Sequence, residues 1–314
     1  MELRHTYVCW TLALAFLLIS GWALPTLAAP QRTVPDDLEL ISGAPFGKGG
    51  KRTLRLDIVR PRQRPKLPMP VVVFVHGGGW RAGSKEGFHS RMIPLAQRGY
   101  FCVSTSYRFS QEAVFPAQIE DCKCAVRWVR AHAKAYHVDP NRIGAWGASA
   151  GGQLVALLGT SGDAKDLEGT GGWPEYSSRV QAVVDWFGMT DIPSVEEAVR
   201  KGTAPKRFIE RSGTDNVSLM LGGPWWEKKE EGRRASAITY VSKDDPPFLL
   251  CHGELDPLVA LEQSERLDAA LRKVGVESTL HVVKGEAHGW KGHPEVDEMA
   301  MDFFDKHLKP VGGK

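Results

Sequence analysis

The chain has 314 residues, 42% of them hydrophobic and 25% charged, with a formal net charge of +3. That length and apolar content are enough for one large buried core, which excludes wholesale disorder. The charge is close to balanced and basic residues occur only in scattered pairs such as Arg233-Arg234, so no nucleic-acid-binding face is expected.

At the N-terminus, Arg4 precedes an almost unbroken apolar run from Val8 to Ile19, and Ala28 and Ala29 precede Pro30. A basic tip, a short apolar run and a small-residue exit predict a secretory signal peptide over residues 1–29, cleaved near Ala28 or Ala29. The mature protein is then secreted or periplasmic; an uncleaved anchor is the alternative. No later segment approaches the ~20 apolar residues of a spanning helix, so no stable membrane span is expected after signal removal. Of the five cysteines, Cys9 falls in this leader. Cys102 and Cys251 sit in apolar strand-like runs, and Cys122 lies on the apolar face of a helix, with Cys124 turned to a different face. Buried unpaired thiols are expected, and nothing in the spacing demands a disulfide.

Residues 30–50 are rich in Pro and Gly and read as a lead-in arm; residues 51–314 read as one domain. Leu54 to Val59 alternates like a half-buried strand, and a Pro-rich loop follows. Val71 to Val75 is a continuous β-branched and aromatic run, the pattern of a strand buried on both faces. Tyr100 to Ser106 is a further strand. Pro116 to Tyr136 has Ile119, Cys122, Val126, Val129 and Ala133 at helical spacing, with Arg127 and Arg130 pointing outward. Arg142 to Trp146 is a short strand, and a helix continues from Gln153 to Leu158. Val180 to Phe187 is the next strand. Residues 191–240 are irregular, charged and Trp-bearing, and read as a cap inserted late in the sheet. A strand over Pro247 to Cys251, a helix over Leu261 to Val274, a strand over Ser278 to Val283 and a helix marked by Val296, Met299 and Phe303 complete the chain. Strands alternating with helices predict an α/β fold, a mostly parallel sheet covered on both faces.

Gly147-Ala148-Ser149-Ala150-Gly151 is a G-x-S-x-G pentapeptide between a strand and a helix. A serine on such a sharp turn is lifted clear of the sheet. The same glycines would also serve an idle turn. His76-Gly77-Gly78-Gly79 follows a buried strand, and side-chain-free residues there let backbone N–H groups approach a developing oxyanion. Gly78, Gly79 and the N–H of Ala150 are the candidate donors; His76 reads as a structural residue of the loop. A serine hydroxyl needs a base, and His288 follows the last strand; His293 competes, and His281 lies inside the strand. Asp256, after the strand that ends near Cys251, is the candidate carboxylate to orient the base, with Glu254 and Asp191 as rivals. Asn216-Val217-Ser218 is a glycosylation sequon.

Five ordered motifs carry a resemblance: His76-Gly77-Gly78-Gly79-Trp80, Pro116 to Cys122, Asp139 to Gly144 leading into the serine turn, Cys251 to Val259, and the His288 loop. From about Leu54 onward the chain resembles the α/β-hydrolase superfamily, more narrowly its bifunctional feruloyl/acetyl-xylan esterase and hormone-sensitive-lipase-like groups. The order Ser149, Asp256, His288 is that of the superfamily. The resemblance implies an eight-stranded, mostly parallel sheet with a cap insertion, and a serine carboxylesterase with no metal or organic cofactor. The implied substrates are small-molecule or polysaccharide-linked esters, of acetyl or feruloyl type. Trp80 follows the glycines as in the plant-cell-wall-esterase branch; Trp80, Trp186, Trp225 and Trp226 are candidate acyl or sugar contacts, or packing between cap and core. A prolyl-oligopeptidase-like peptidase shares the triad but ordinarily carries a propeller, for which the residues before the first strand leave no room. A non-catalytic binding protein on this scaffold would ordinarily lack a triad residue.

Overall fold

In the run Met69-Pro70-Val71-Val72-Val73-Phe74-Val75 no position is polar, and in the folded chain every one of them is buried. A computed structural model describes residues 34–310; the expected leader over 1–29, with Cys9, lies outside the described residues. In chain order the elements are β1 (Leu38–Gly49), β2 (Arg52–Pro61), β3 (Met69–Val75), α1 (His89–Gln97), β4 (Phe101–Thr105), α2 (Ala117–Ala131), α3 (Ala133–Tyr136), β5 (Val138–Ala148), α4 (Ala150–Thr160) and β6 (Ala182–Trp186). Four short helices follow, α5 (Ser194–Lys201), α6 (Lys206–Ile209), α7 (Asn216–Leu221) and α8 (Lys229–Arg234). The chain closes with β7 (Phe248–Gly253), α9 (Glu262–Lys273), β8 (Ser278–Val283) and α10 (Pro294–Leu308).

One eight-stranded sheet has the order β1-β2-β4-β3-β5-β6-β7-β8. From β4 to β8 all neighbours are parallel, while β2 runs antiparallel to β4 and β1 to β2. This is the α/β-hydrolase fold. Because side chains alternate along a strand, the apolar run of β3 feeds two cores. Val71, Val73 and Val75 pack under α2, α4 and α9, with Ile119, Val126, Leu154, Leu158 and Leu267. Val72 and Phe74 pack on the opposite face with Trp146 and with Met92, Leu95, Phe304 and Leu308 of α1 and α10.

Three expectations are corrected. Residues 38–49 are not a lead-in arm: they form the edge strand β1, and its Pro45 sits between register shifts, where the ladder is interrupted and a missing N–H is tolerated. Arg127 does not point outward. Lys123 and Arg127 lie one helical turn apart on a face of α2 that the loop after α4 covers, and both are buried. Lys123 Nζ donates to Glu168 at 2.8 Å and to the Ser161 carbonyl at 2.7 Å; Arg127 donates to the Glu168 carboxylate at 2.6 Å and to its carbonyl at 2.9 Å. Arg130 is likewise turned to the Pro140, Ser177 and Arg179 carbonyls. The sequence pattern also marks no helix at α1, whose buried face is small and which contains Pro94. Cys102, Cys122, Cys124 and Cys251 are all buried and unpaired. Among the described residues no helix is long and apolar enough to cross a membrane.

Candidate active site

The loops that carry the predicted residues leave the carboxyl ends of β3, β5, β7 and β8, the edge where open parallel sheets build their sites. Ser149 sits between β5 and α4 with φ +56° and ψ −119°, a strained conformation for a side-chain-bearing residue. Its N–H donates to the Trp186 carbonyl at 2.8 Å, and its carbonyl accepts from Gln153 N at 3.0 Å, so both neighbouring elements hold the turn. Gly151 is required by closeness: a Cβ there would lie 2.0 Å from the Val75 carbonyl oxygen.

The turn brings Ser149 Oγ to 2.8 Å from His288 Nε2, and His288 Nδ1 to 2.6 Å from Asp256 Oδ2. An ionised carboxylate only accepts, so Nδ1 carries the proton and Nε2 is left free to accept from the serine hydroxyl. Asp256 Oδ1 accepts from Leu258 N at 2.8 Å and Val259 N at 2.9 Å. Burial alone would raise this carboxyl; hydrogen bonds from His252, His288 and Val259 N hold it well below the usual carboxylate range. His288 is further wedged by the Phe187 ring, edge-on at 4.7 Å between centroids.

Beside Ser149 the loop after β3 turns sharply. Gly78 (φ +116°) and Gly79 (φ +59°) adopt conformations that side chains disfavour, and the Gly78 carbonyl is turned away to accept from Arg81 N and Ala82 N. Among the described residues the Gly78 and Gly79 N–H groups have no partner, and Ala150 N–H, at the first position of α4, has no helical carbonyl in reach. Gly78, Gly79, Ser149, Ala150 and His288 line one cavity of about 330 Å³. The arrangement supplies an activated hydroxyl and free backbone donors side by side, which is what acyl transfer requires.

The rival residues are engaged elsewhere. His293 pairs with Glu295 at 2.7 Å and Glu286 at 3.2 Å. Glu254 accepts from Gly285 N, and Asp191 accepts from Ser194 N at the start of α5 while facing Arg266 at 3.4 Å. His76 donates from Nδ1 to the Gly77 carbonyl and stacks on Tyr107. Of the four tryptophans, Trp80 lines the cavity and donates from Nε1 to Gln153 at 3.0 Å. The other three do not line it. Trp186 is 2% exposed because strand alternation turns it to the α1/α10 face, against Trp146 and Trp290. Trp225 packs within the cap against Phe208, and with Trp226 it borders a separate small cavity beside Ile192. Asn216 of the sequon lines the Ser149 cavity against Gly79.

Sequence reasoning missed His252, Phe187 and the cavity wall made by Met189, Arg207, Val217, Leu258 and Val259. His252 was legible only as a neighbour in the Cys251 to Val259 motif; the wall comes from an irregular stretch with no periodic signal. Among the described residues no group of three or more His, Cys, Asp or Glu side chains is placed to hold a metal ion.

Comparison with known proteins bears on the family and the fold. The BD-FAE family matches residues 56–271. The chain belongs to that family. It is similar to Esterase LipQ of Mycobacterium tuberculosis, 33% identical over 270 residues, covering 84% of this chain and 60% of LipQ. It is also similar to the isoprenylcysteine alpha-carbonyl methylesterase ICME of Arabidopsis thaliana, 27% identical, covering 74% of this chain and 53% of that protein. The chain thus spans a little over half the length of these curated relatives. Among solved structures, a truncated carbohydrate esterase from gut microbiota superposes with a TM-score of 0.75 at 29% identity, covering 87% of this chain and 98% of the other. A propionate-bound thermophilic esterase from Thermogutta terrifontis superposes with a TM-score of 0.69 at 27% identity, covering 88% and 97%.

Proposed function

We propose that this BD-FAE family member is a serine carboxylic ester hydrolase. The observation that carries the reading is the hydrogen-bonded chain from Ser149 Oγ through His288 to Asp256, next to backbone N–H groups that have no partner among the described residues. Ser149 Oγ attacks the ester carbonyl while His288 Nε2 takes its proton. Gly78, Gly79 and Ala150 N–H donate to the oxygen that becomes negative, and Asp256 stabilises the imidazolium. His288 returns the proton to the departing alcohol, which leaves Ser149 acylated. A water that gives its proton to His288 then releases the acid and regenerates Ser149.

The preferred esters are of short-chain, aryl or polysaccharide-linked type. The cavity of about 330 Å³ beside Ser149 has room for a short acyl or an aryl group. The likeness to a carbohydrate esterase and to an esterase solved with propionate supports the same range. Secretion or a periplasmic location is part of this reading and rests on the basic, apolar and small-residue pattern of residues 1–29.

The test is release of nitrophenol from p-nitrophenyl acetate, butyrate and decanoate, beside a Ser149→Ala control, followed by acetylated xylan and methyl ferulate. Activity on the short esters that is lost in the control is expected. Folded protein with no activity above that control defeats the reading.

A further inference from the structure

One charge in the Ser149 cavity has no carboxylate within ion-pair distance among the described residues. Of the side chains that line it, Arg207 alone carries a fixed charge; Trp80, Met189, Val217, Leu258 and Val259 make an otherwise apolar wall. Arg207 comes from the short helix α6, and its Nη2 donates to the carbonyl of Leu258, another lining residue. The guanidinium lies 4.6 Å from the centre of the Phe208 ring. Its Nε is buried and has no hydrogen-bond partner among the described residues.

The nearest acidic groups are already committed. Asp215 uses Oδ1 to cap α7 through Val217 N and Ser218 N, and Oδ2 to accept from the Ser218 hydroxyl. Asp256 is held by His288 and by the Leu258 and Val259 amides. Among the described residues no carboxylate lies within ion-pair distance of Arg207, although other guanidinium groups, such as those of Arg108 and Arg127, are paired. Burial pushes the Arg207 guanidinium down from its ordinary value, and the fields of Asp215 and Asp256 only oppose that. A half-buried guanidinium with an idle donor is an unfavourable arrangement unless something supplies the missing acceptor. The planar fork of arginine matches a carboxylate better than any neutral oxygen.

We propose that Arg207 binds a carboxylate of the substrate, so that the preferred esters are anionic, with a free carboxylate on the acid or the alcohol half close to the scissile bond. This rests on the ester hydrolase reading above and narrows it. The two halves of an ester are two sources of the same chemistry, and matched pairs of substrates tell them apart. For the acid half, mono-p-nitrophenyl glutarate is compared with its methyl ester; for the alcohol half, 4-butyryloxybenzoate is compared with its methyl ester. The readout is the ratio of kcat/KM for the anionic member over its neutral partner, in wild type, Arg207→Gln and Arg207→Lys.

In wild type the ratio exceeds one in at least one pair. In Arg207→Gln that ratio falls about ten- to a hundredfold, the worth of a charge-assisted hydrogen bond. Arg207→Lys keeps part of it, because the charge stays while the fork is lost. A wild-type ratio at or below one in both pairs overturns the proposal without any variant. So does a ratio that Arg207→Gln leaves unchanged while both members slow together, the mark of an arginine that only fastens the cap to Leu258. Neutral esters report separately on the hydrolase reading: turnover with an indifferent ratio defeats this inference alone, and no turnover of any ester above Ser149→Ala defeats both.

Discussion

His252 stands behind the Asp256 carboxylate, its Nε2 at 3.3 Å from the same Oδ2 that accepts from His288 Nδ1 at 2.6 Å. His252 is fully buried and is itself fixed, with Nδ1 at 2.7 Å from Ser264 Oγ and Nε2 at 2.9 Å from the Val259 carbonyl, to which it donates. A single carboxylate oxygen therefore ties the imidazole that faces Ser149 to α9 and to the loop after β7. Asp256 orients His288 only while it is ionised and accepts. Asp256→Asn keeps the size but offers an amide that favours the wrong imidazole tautomer. We expect kcat on p-nitrophenyl butyrate to fall about 10³- to 10⁴-fold in folded protein. A loss of less than tenfold would show that Asp256 does not set the tautomer.

The same carboxylate has a consequence for acid stability. Its folded-state value is held below the usual carboxylate range, so folding gains from its ionised form. That gain is present above the unfolded value near pH 4 and is lost as pH falls toward the lower folded value. Wild type should lose stability to urea across this acid window, with a steeper fall than Asp256→Asn shows. Parallel curves for the two proteins would contradict it.

Gly78 carries the geometry of the donor loop. A Cβ at this position would lie 2.1 Å from the Ala82 carbonyl oxygen, and the residue has a φ of +116°. Gly78→Ala therefore moves the turn that aims the Gly78 and Gly79 N–H groups. Loss of one well-aimed donor is worth ~10²- to 10³-fold in kcat. We expect a fall of that order with KM changed far less, measured on the same ester by initial rates.

Glu168 neutralises two buried cations, Lys123 and Arg127, and its carboxylate also accepts from Ser178 Oγ. Glu168→Ala strands both charges beside the Ser161 and Gly172 carbonyls. Breaking such a buried cluster costs about 3–5 kcal/mol. The expected result is an unfolding free energy in urea lower by that margin, read as a lower midpoint at unchanged m, with kcat per folded molecule retained, since none of these residues lines the Ser149 cavity.

This cluster also shows where sequence reading stops. The strands of the central sheet were legible because Val71 to Val75 and its counterparts are apolar without alternation, a pattern that only a doubly covered strand tolerates. Ser149, Asp256 and His288 were legible as candidates because each follows a strand and the three come in the superfamily's chain order; that the structure brings them within hydrogen-bond distance is a tertiary fact. Arg127 was misread because helical periodicity gives the direction of a face and not what covers it; the loop bearing Glu168 closes over it from 41 residues further along. Arg207 and Asn216 were invisible as cavity residues for the same reason. They sit in short cap helices without periodic apolar pattern, and only tertiary packing brings them beside Gly79 and Leu258.

Asp185 offers the sharpest test of the packing under the serine turn. It is fully buried below α4; its Oδ1 accepts from Gly188 N at 3.0 Å, and its Oδ2 has no partner among the described residues. Burial pushes its carboxyl up to about 7, against the pull of the nearby His252 and of the Gly188 amide. A carboxyl raised in the folded state binds a proton there that the unfolded chain, titrating near pH 4, has already released. Its contribution to stability is thus full below pH 4 and is lost as pH rises toward 7, by up to ~4 kcal/mol for a shift of this size. Asp185→Asn keeps the shape and the acceptor for Gly188 N but cannot ionise. The variant should match wild type at pH 4 and exceed it in urea resistance at pH 8, with the gap opening across the interval. A gap that does not change between those pH values would mean that Asp185 finds a partner for its charge in solution.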